Sequence, residues 1–148
     1  MNSSHLPNNL AKLPTFWLII SLVLDPICPQ NYQVFSSNDR SINYVSNGGT
    51  PLCDNFITQG WYRFMGAAGT KMSTSVVPDH HCNTHASSWL TGAHPSVADG
   101  IVSRRVCFGW SGNSCYGAMN IRMVNCYSFY LYELSSTPYC SLRFCAAP

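Results

Sequence analysis

Apolar residues fall into one early block and then into short alternating stretches. The block runs from Leu13 to Leu24 and is rich in Leu, Ile, Phe and Trp; Asp25 and Pro26 end it. Pro26 to Pro51 is polar, with Asn, Ser and Gly clusters, and reads as an extended, loopy lead-in. Trp61 to Gly66 and Lys71 to Val77 then have the composition of short strands, and Trp61, Tyr62, Phe64, Val76 and Val77 are core candidates. His80 to Pro95 has no clear period and predicts a compact loop, with room for one short helix near Thr84 to Leu90.

Gly100 to Trp110 carries β-branched and aromatic residues suited to a pleated, half-buried surface. Ser111-Gly112-Asn113 is a turn. Met119 to Cys126 and Phe129 to Leu134 predict paired strands. In the first, Ile121 and Met123 share a face; in the second, Tyr130, Tyr132 and Leu134 share one face and Phe129, Leu131 and Glu133 the other. Cys140 to Cys145 is a last short strand. The pattern contains no sustained helical stripe and no internal repeat. The fold class is mainly β: a small, disulfide-rich single domain with long loops and at most one short helix.

The early block is too short to cross a ~30 Å hydrocarbon core as a helix. Behind a polar start holding Lys12, it has the form of a secretory signal peptide; a buried helix of the mature fold is the alternative. Residues 1–24 are therefore expected to be removed, leaving 25–148 as a secreted, extracellular domain with no membrane anchor.

Composition narrows the function classes. Apolar residues make up 46% and charged residues 9%, against roughly 25% charged in ordinary soluble domains. Such a chain buries enough apolar surface to fold. Its net charge of +2 is scattered, without the basic stripe that nucleic acid requires. The eight cysteines, Cys28, Cys53, Cys82, Cys107, Cys115, Cys126, Cys140 and Cys145, all follow the early block. In an oxidising compartment an even set reads as four disulfides, with the pairing left open by spacing.

Candidate chemistry is sparse. His80, His81, Cys82 and His85 have the residue types of a zinc site, yet a disulfide-bonded sulfur cannot ligate as a thiolate and a second ligand pair is missing. Ser103, His94 and Asp99 could be drawn as a triad, but nothing in the sequence brings them together and there is no Gly-x-Ser-x-Gly elbow. The six carboxylates are too few and dispersed for an acid–base pair, and Asp99-Gly100 reads more simply as a turn. The inventory argues against an enzyme, a metal site or a cofactor; a secreted hydrolase is the distant alternative. Large residues on both faces of Phe129 to Leu134 point to an exposed aromatic patch at Tyr130 and Tyr132, where an extracellular protein or glycan could bind.

Beyond these readings, the chain from about Asp25 onward resembles the eight-cysteine extracellular domain of uromodulin, the pancreatic secretory granule glycoprotein and the oncoprotein-induced transcript 3 protein. The carrying residues are Pro51-Leu52-Cys53-Asp54, Gly60-Trp61-Tyr62-Arg63-Phe64, Cys82-Asn83-Thr84, Trp89-Leu90, His94-Pro95 and Asp99-Gly100-Ile101-Val102. They continue through Val106-Cys107, Trp110-Ser111-Gly112, Cys126, Tyr130-Leu131-Tyr132, Cys140 and Cys145. The resemblance implies the pairing Cys28–Cys126, Cys53–Cys140, Cys82–Cys145 and Cys107–Cys115. Several relatives carry cysteines where this chain has Val76 and Ser114, implying one bridge fewer here. It also implies a non-catalytic binding module, or alternatively a soluble defence factor that binds or decoys microbes. Uromodulin's glycosylation sequons fall where this chain reads Thr91-Gly92-Ala93 and Glu133-Leu134-Ser135. No epidermal-growth-factor-like or zona pellucida module accompanies the domain, so filament formation by the uromodulin route is not expected.

Overall fold

A computed structural model describes residues 27–148; the Leu13 to Leu24 block and the expected signal peptide lie outside the described residues. The fold grows from one long hairpin. Ser111 and Gly112 both take positive φ, 53° and 76°, which is the backbone of a two-residue turn whose twist suits antiparallel strands. On either side, β4 (Val102–Trp110) and β5 (Asn113–Asn125) pair from Trp110↔Asn113 down to Val102↔Met123, with one register shift between Phe108 and Trp110. Strand β5 begins well before the expected Met119.

β6 (Tyr130–Leu134) returns antiparallel to β5, and β2 (Gly60–Phe64) pairs with the far side of β6. On the other flank of the hairpin, β3 (Ala86–Leu90) runs antiparallel to β4. Two short parallel strands finish the sheet: β1 (Gln33–Phe35) beside β2, and β7 (Leu142–Arg143) beside β3. Among the described residues the seven strands lie in the order β1-β2-β6-β5-β4-β3-β7. Edge strands of three and two residues offer little ladder to another chain. The protein is mainly β; its described helical segments are single 3-10 turns at Asn38–Arg40, Gly66–Ala68 and Val97–Asp99. No helix among the described residues is long and apolar enough to cross a membrane.

Side-chain alternation places the core. On β5, Ile121 and Met123 point inward while Asn120 and Arg122 stay exposed. With Tyr62, Phe64, Leu90, Val106, Phe108, Tyr132, Leu134, Leu142 and Phe144 they form the main core. The opposite face is covered at one corner, where Val124, Leu131 and Cys126 pack with Cys28, Trp61 and Phe129. Strand β6 is thus buried on both faces, which is why it carries large residues on both.

Three expectations are corrected. Thr84 to Leu90 forms no helix: Ala86–Leu90 is a strand held between β4 and β7. Its Ser87 and Ser88 are fully buried, and their hydroxyls bond the His81 carbonyl at 2.9 Å and the Cys145 amide at 2.8 Å. Lys71 to Val77 makes only an isolated bridge from Lys71 to Ala147. There the Ser73 hydroxyl accepts from the Ser75 amide and donates to its carbonyl, a local turn that competes with a strand ladder. Val76 is 51% exposed, not core, although Val77, Tyr62 and Phe64 are buried.

Buried charges are paired. Arg40 makes a bidentate contact with Asp54, both at 2.8 Å, and its guanidinium lies 3.6 Å over the Phe35 ring. Arg143 reaches the carbonyls of Asp39 and Cys82 and the Asp39 carboxylate. Burial alone would raise the Asp39 pKa, but the Arg143 hydrogen bond, with help from Ser37 and Asn83, holds it below the ordinary value. The disulfides are Cys28–Cys126, Cys53–Cys140, Cys82–Cys145 and Cys107–Cys115, separated by 98, 87, 63 and 8 residues. The first three span most of the domain; the fourth is local to the β4–β5 hairpin.

Candidate binding site

The expected patch at Tyr130 and Tyr132 is not an exposed surface. Tyr132 has no solvent exposure, because its side of β6 faces the main core. Its hydroxyl accepts from the Met72 amide at 3.0 Å and lies 2.9 Å from His94 Nε2. Burial, reinforced by Lys71 and Arg104, lowers the His94 pKa to about 4, so its imidazole is neutral at physiological pH. The neutral ring and the hydroxyl share one hydrogen bond between His94 Nε2 and the Tyr132 oxygen, in which either group can donate. Burial also raises the Tyr132 pKa. Tyr130 is half-buried, its ring 4.5 Å from that of His94.

The other candidates are engaged separately. Ser103 is exposed on β4, His94 is committed to Tyr132, and the Asp99 carboxylate accepts from the Ser96 amide and hydroxyl at 2.8 and 2.9 Å. Hydrogen bonds from the Ser96 side chain and backbone lower the Asp99 pKa. Among the histidines near Cys82, His81 bonds the Ile42 carbonyl through Nδ1, while His80 and His85 meet ring to ring at 5.4 Å. Cys82 is bonded to Cys145. Among the described residues no group of three or more His, Cys, Asp or Glu is arranged to hold a metal ion.

A different arrangement stands open to solvent. Where the hairpin ends, Trp110 of β4 and Tyr116 of β5 meet at 5.0 Å with planes 86° apart. Tyr116 in turn meets Tyr139 at 6.0 Å and 88°. On the other side, His85 lies parallel to Trp110 within 7°, with centroids 5.8 Å apart. These four rings, with Ser141 and Leu142, line a cleft of about 270 Å³. Tyr116 and Tyr139 are 46% and 43% exposed. A Cβ on Gly117 would stand 3.0 Å from the Tyr139 hydroxyl and 3.3 Å from Leu142 Cδ1, so the bare backbone there admits the Tyr139 ring. Cys140, beside Tyr139, is anchored through Cys53.

Comparison with known proteins places this scaffold. Residues 62–146 match the family model of the uromodulin-like eight-cysteine domain. The pancreatic secretory granule membrane major glycoprotein GP2 of Homo sapiens is 38% identical over 120 residues, 80% of this chain and 22% of that protein. The corresponding protein of Canis lupus familiaris is 41% identical over 117 residues, covering 78% and 22%. Uromodulin of Rattus norvegicus is 40% identical over 118 residues, covering 79% and 18%.

The chain belongs to the uromodulin-like eight-cysteine domain family. It spans about a fifth of the length of these relatives. Within this uromodulin-like domain Val76 and Ser114 line one surface depression together with Gly109 and Gly112, so the two positions are neighbours in space. The aromatic cleft was not legible in the sequence. Only the placement of Trp110 and Tyr116 on either side of a Ser-Gly turn hinted that two of its rings share a hairpin end.

Proposed function

We propose that this uromodulin-like domain is a secreted, non-catalytic extracellular module that binds other molecules through the aromatic cleft of Trp110, Tyr116 and Tyr139. The observation that carries this reading is a set of amphipathic rings, Tyr116 and Tyr139 exposed and Trp110 half-buried, mounted on a framework with four disulfides and no free cysteine among the described residues. Disulfides persist in oxidising compartments, and Tyr and Trp are favoured contact residues because they combine a large apolar body with a polar tip. Residues 1–24 act as the signal that directs residues 25–148 to that compartment. The kinship with GP2 and uromodulin supports an extracellular setting. A glycan-borne decoy role fits less well, since residues 27–148 hold no Asn-x-Ser/Thr to carry the sugar.

The test is expression with the native N-terminus in secretory cells, followed by binding of the collected protein to immobilised extracellular glycoproteins. The reading expects the protein in the medium without residues 1–24, and binding that the Tyr116→Ala/Tyr139→Ala double variant loses while its far-UV dichroism is unchanged. Retention in the cells, or binding indifferent to the double variant, would contradict it.

A further inference from the structure

We infer that the aromatic cleft accommodates one ring of a neutral saccharide, an inference that rests on the binding-module reading above and names its ligand class. Three observations select that chemistry. No Lys, Arg, Asp or Glu lines the cleft, and its one ionisable ring besides the phenols, His85, lies stacked on Trp110, so no permanent charge there would compensate the desolvation of an ionic ligand such as a phosphate, a sulfated or sialylated sugar, or an acidic peptide. The walls are instead aromatic faces, whose negative quadrupole attracts the polarised C–H bonds on the flat side of a hydroxylated ring.

At the same time the wall residues carry polar atoms without partners. Trp110 Nε1 and the side-chain hydroxyls of Tyr116, Tyr139 and Ser141 make no hydrogen bond to another described residue. One indole donor and three hydroxyls that both donate and accept match the alternating donors and acceptors of a polyol. The Trp89 indole, by contrast, is spent on the Ser114 carbonyl at 2.7 Å.

A peptide adding as a strand beside β7 is disfavoured by the same geometry. The outer edge of β7 is occupied: the Asp54 amide donates to the Leu142 carbonyl at 3.0 Å, and the Phe144 amide donates to the Asp54 carboxylate at 2.8 Å. With those groups taken, a chain would find no ladder for the main-chain hydrogen bonds such recognition uses. The cleft volume of about 270 Å³ also falls below the roughly 300–1,000 Å³ of sites for drug-sized ligands. It suits a single ring at the end or along the face of a chain.

The experiment is a titration of the whole secreted, ¹⁵N-labelled protein with methyl α-mannoside, galactose, N-acetylglucosamine, fucose and xylose, followed at the indole N–H resonances. The expected result is a saturable shift of the Trp110 indole with at least one of these sugars, with the Trp89 indole unmoved. Tyr116→Ala and Tyr139→Ala should each weaken that binding about tenfold or more. Tyr127→Ala, at a ring 66% exposed and outside the cleft, should leave it unchanged. No saturable shift with any neutral sugar overturns the inference, as does binding that survives both cleft variants or that requires a charged sugar. If the cleft variants abolish capture of a protein partner while no sugar shifts Trp110, the saccharide assignment fails and the binding-module reading stands. If neither sugar nor partner depends on the cleft, both fail.

Discussion

The guanidinium of Arg40 and the carboxylate of Asp54 meet side by side inside the protein, two nitrogens on two oxygens at 2.8 Å. Both groups also bond the backbone of Phe144: Arg40 donates to its carbonyl at 3.0 Å, and Asp54 accepts from its amide at 2.8 Å. The pair therefore ties the 3-10 turn at Asn38–Arg40 to the segment just after β7. Removing one partner of such a pair strands the other charge, which costs about 3–5 kcal/mol, whereas replacing both with apolar residues can be nearly neutral. Asp54→Asn should lower stability by about that amount in chemical denaturation, and Arg40→Met/Asp54→Leu should be the more stable of the two variants. A double variant as unstable as the single one would show that the contacts to Phe144, rather than the charges, dominate.

Acid should act through His94. Its pKa of about 4 in the fold lies below the ordinary 6.5, so between those values the unfolded chain binds more protons than the folded one. Stability from the neutral imidazole is complete above the unfolded pKa and is lost as pH falls from about 6.5 to about 4. Protonation would also leave His94 Nε2 able only to donate to the Tyr132 hydroxyl. Asp39, Asp99 and Glu133 have lowered pKa values, so their contributions are complete above the ordinary carboxylate pKa and are lost as pH falls through and below it. Melting temperature should fall across the His94 window in the wild type and more shallowly in His94→Gln, which keeps an acceptor but does not titrate. Equal slopes would remove His94 as the cause.

Two glycines in one loop should respond very differently to alanine. At Gly69, φ is +106° and a Cβ would lie 2.7 Å from the Ala147 carbonyl carbon and closer still to its oxygen, which accepts from the Thr70 amide at 2.7 Å. At Gly66, φ is +58° and a Cβ would meet nothing within 4 Å. Gly66→Ala should cost only the left-handed backbone penalty of about 1–2 kcal/mol. Gly69→Ala adds a collision with main chain and should displace the last residues, giving the larger loss of denaturation midpoint.

The bridges should divide by span. On the chain-entropy account, closing loops of 98, 87 or 63 residues stabilises by about 4–5 kcal/mol each, and the local hairpin bridge by about 2–3 kcal/mol. Cys107→Ala/Cys115→Ala should therefore fold with a modestly lower melting temperature. Cys53→Ala/Cys140→Ala should lose more and also free Tyr139, so fluorescence quenching of the cleft aromatics by acrylamide should rise.

How much was legible beforehand follows from what each residue type can signal. The strand in Gly100 to Trp110 was readable from its β-branched and aromatic residues, and Ile121 and Met123 were readable because they alternate with the exposed Asn120 and Arg122. Ala86–Leu90 was not, because it is buried on both sides and its serines, which read as loop residues, are satisfied inside the sheet. Tyr132 was misplaced for a related reason: with β6 covered on both faces, the sequence held no polar side to show which tyrosine faces solvent. The cleft leaves no pattern in the sequence because Trp110, Tyr116 and Tyr139 come from two strands and a loop. Tyr139 is brought to the other two by a strand pairing and by a bridge to Cys53, neither of which leaves a periodic trace.

The most direct test of the central claim, an oxidised extracellular scaffold that holds the aromatic cleft in place, is non-reducing peptide mapping by mass spectrometry of protein collected from the medium of secretory cells. The account predicts a mature chain lacking the Leu13 to Leu24 block, with Cys28–Cys126, Cys53–Cys140, Cys82–Cys145 and Cys107–Cys115 each recovered as one linked peptide pair. Free thiols, or Cys140 bonded to any partner other than Cys53, would contradict it, because Tyr139 would then lack the anchor that sets it beside Tyr116.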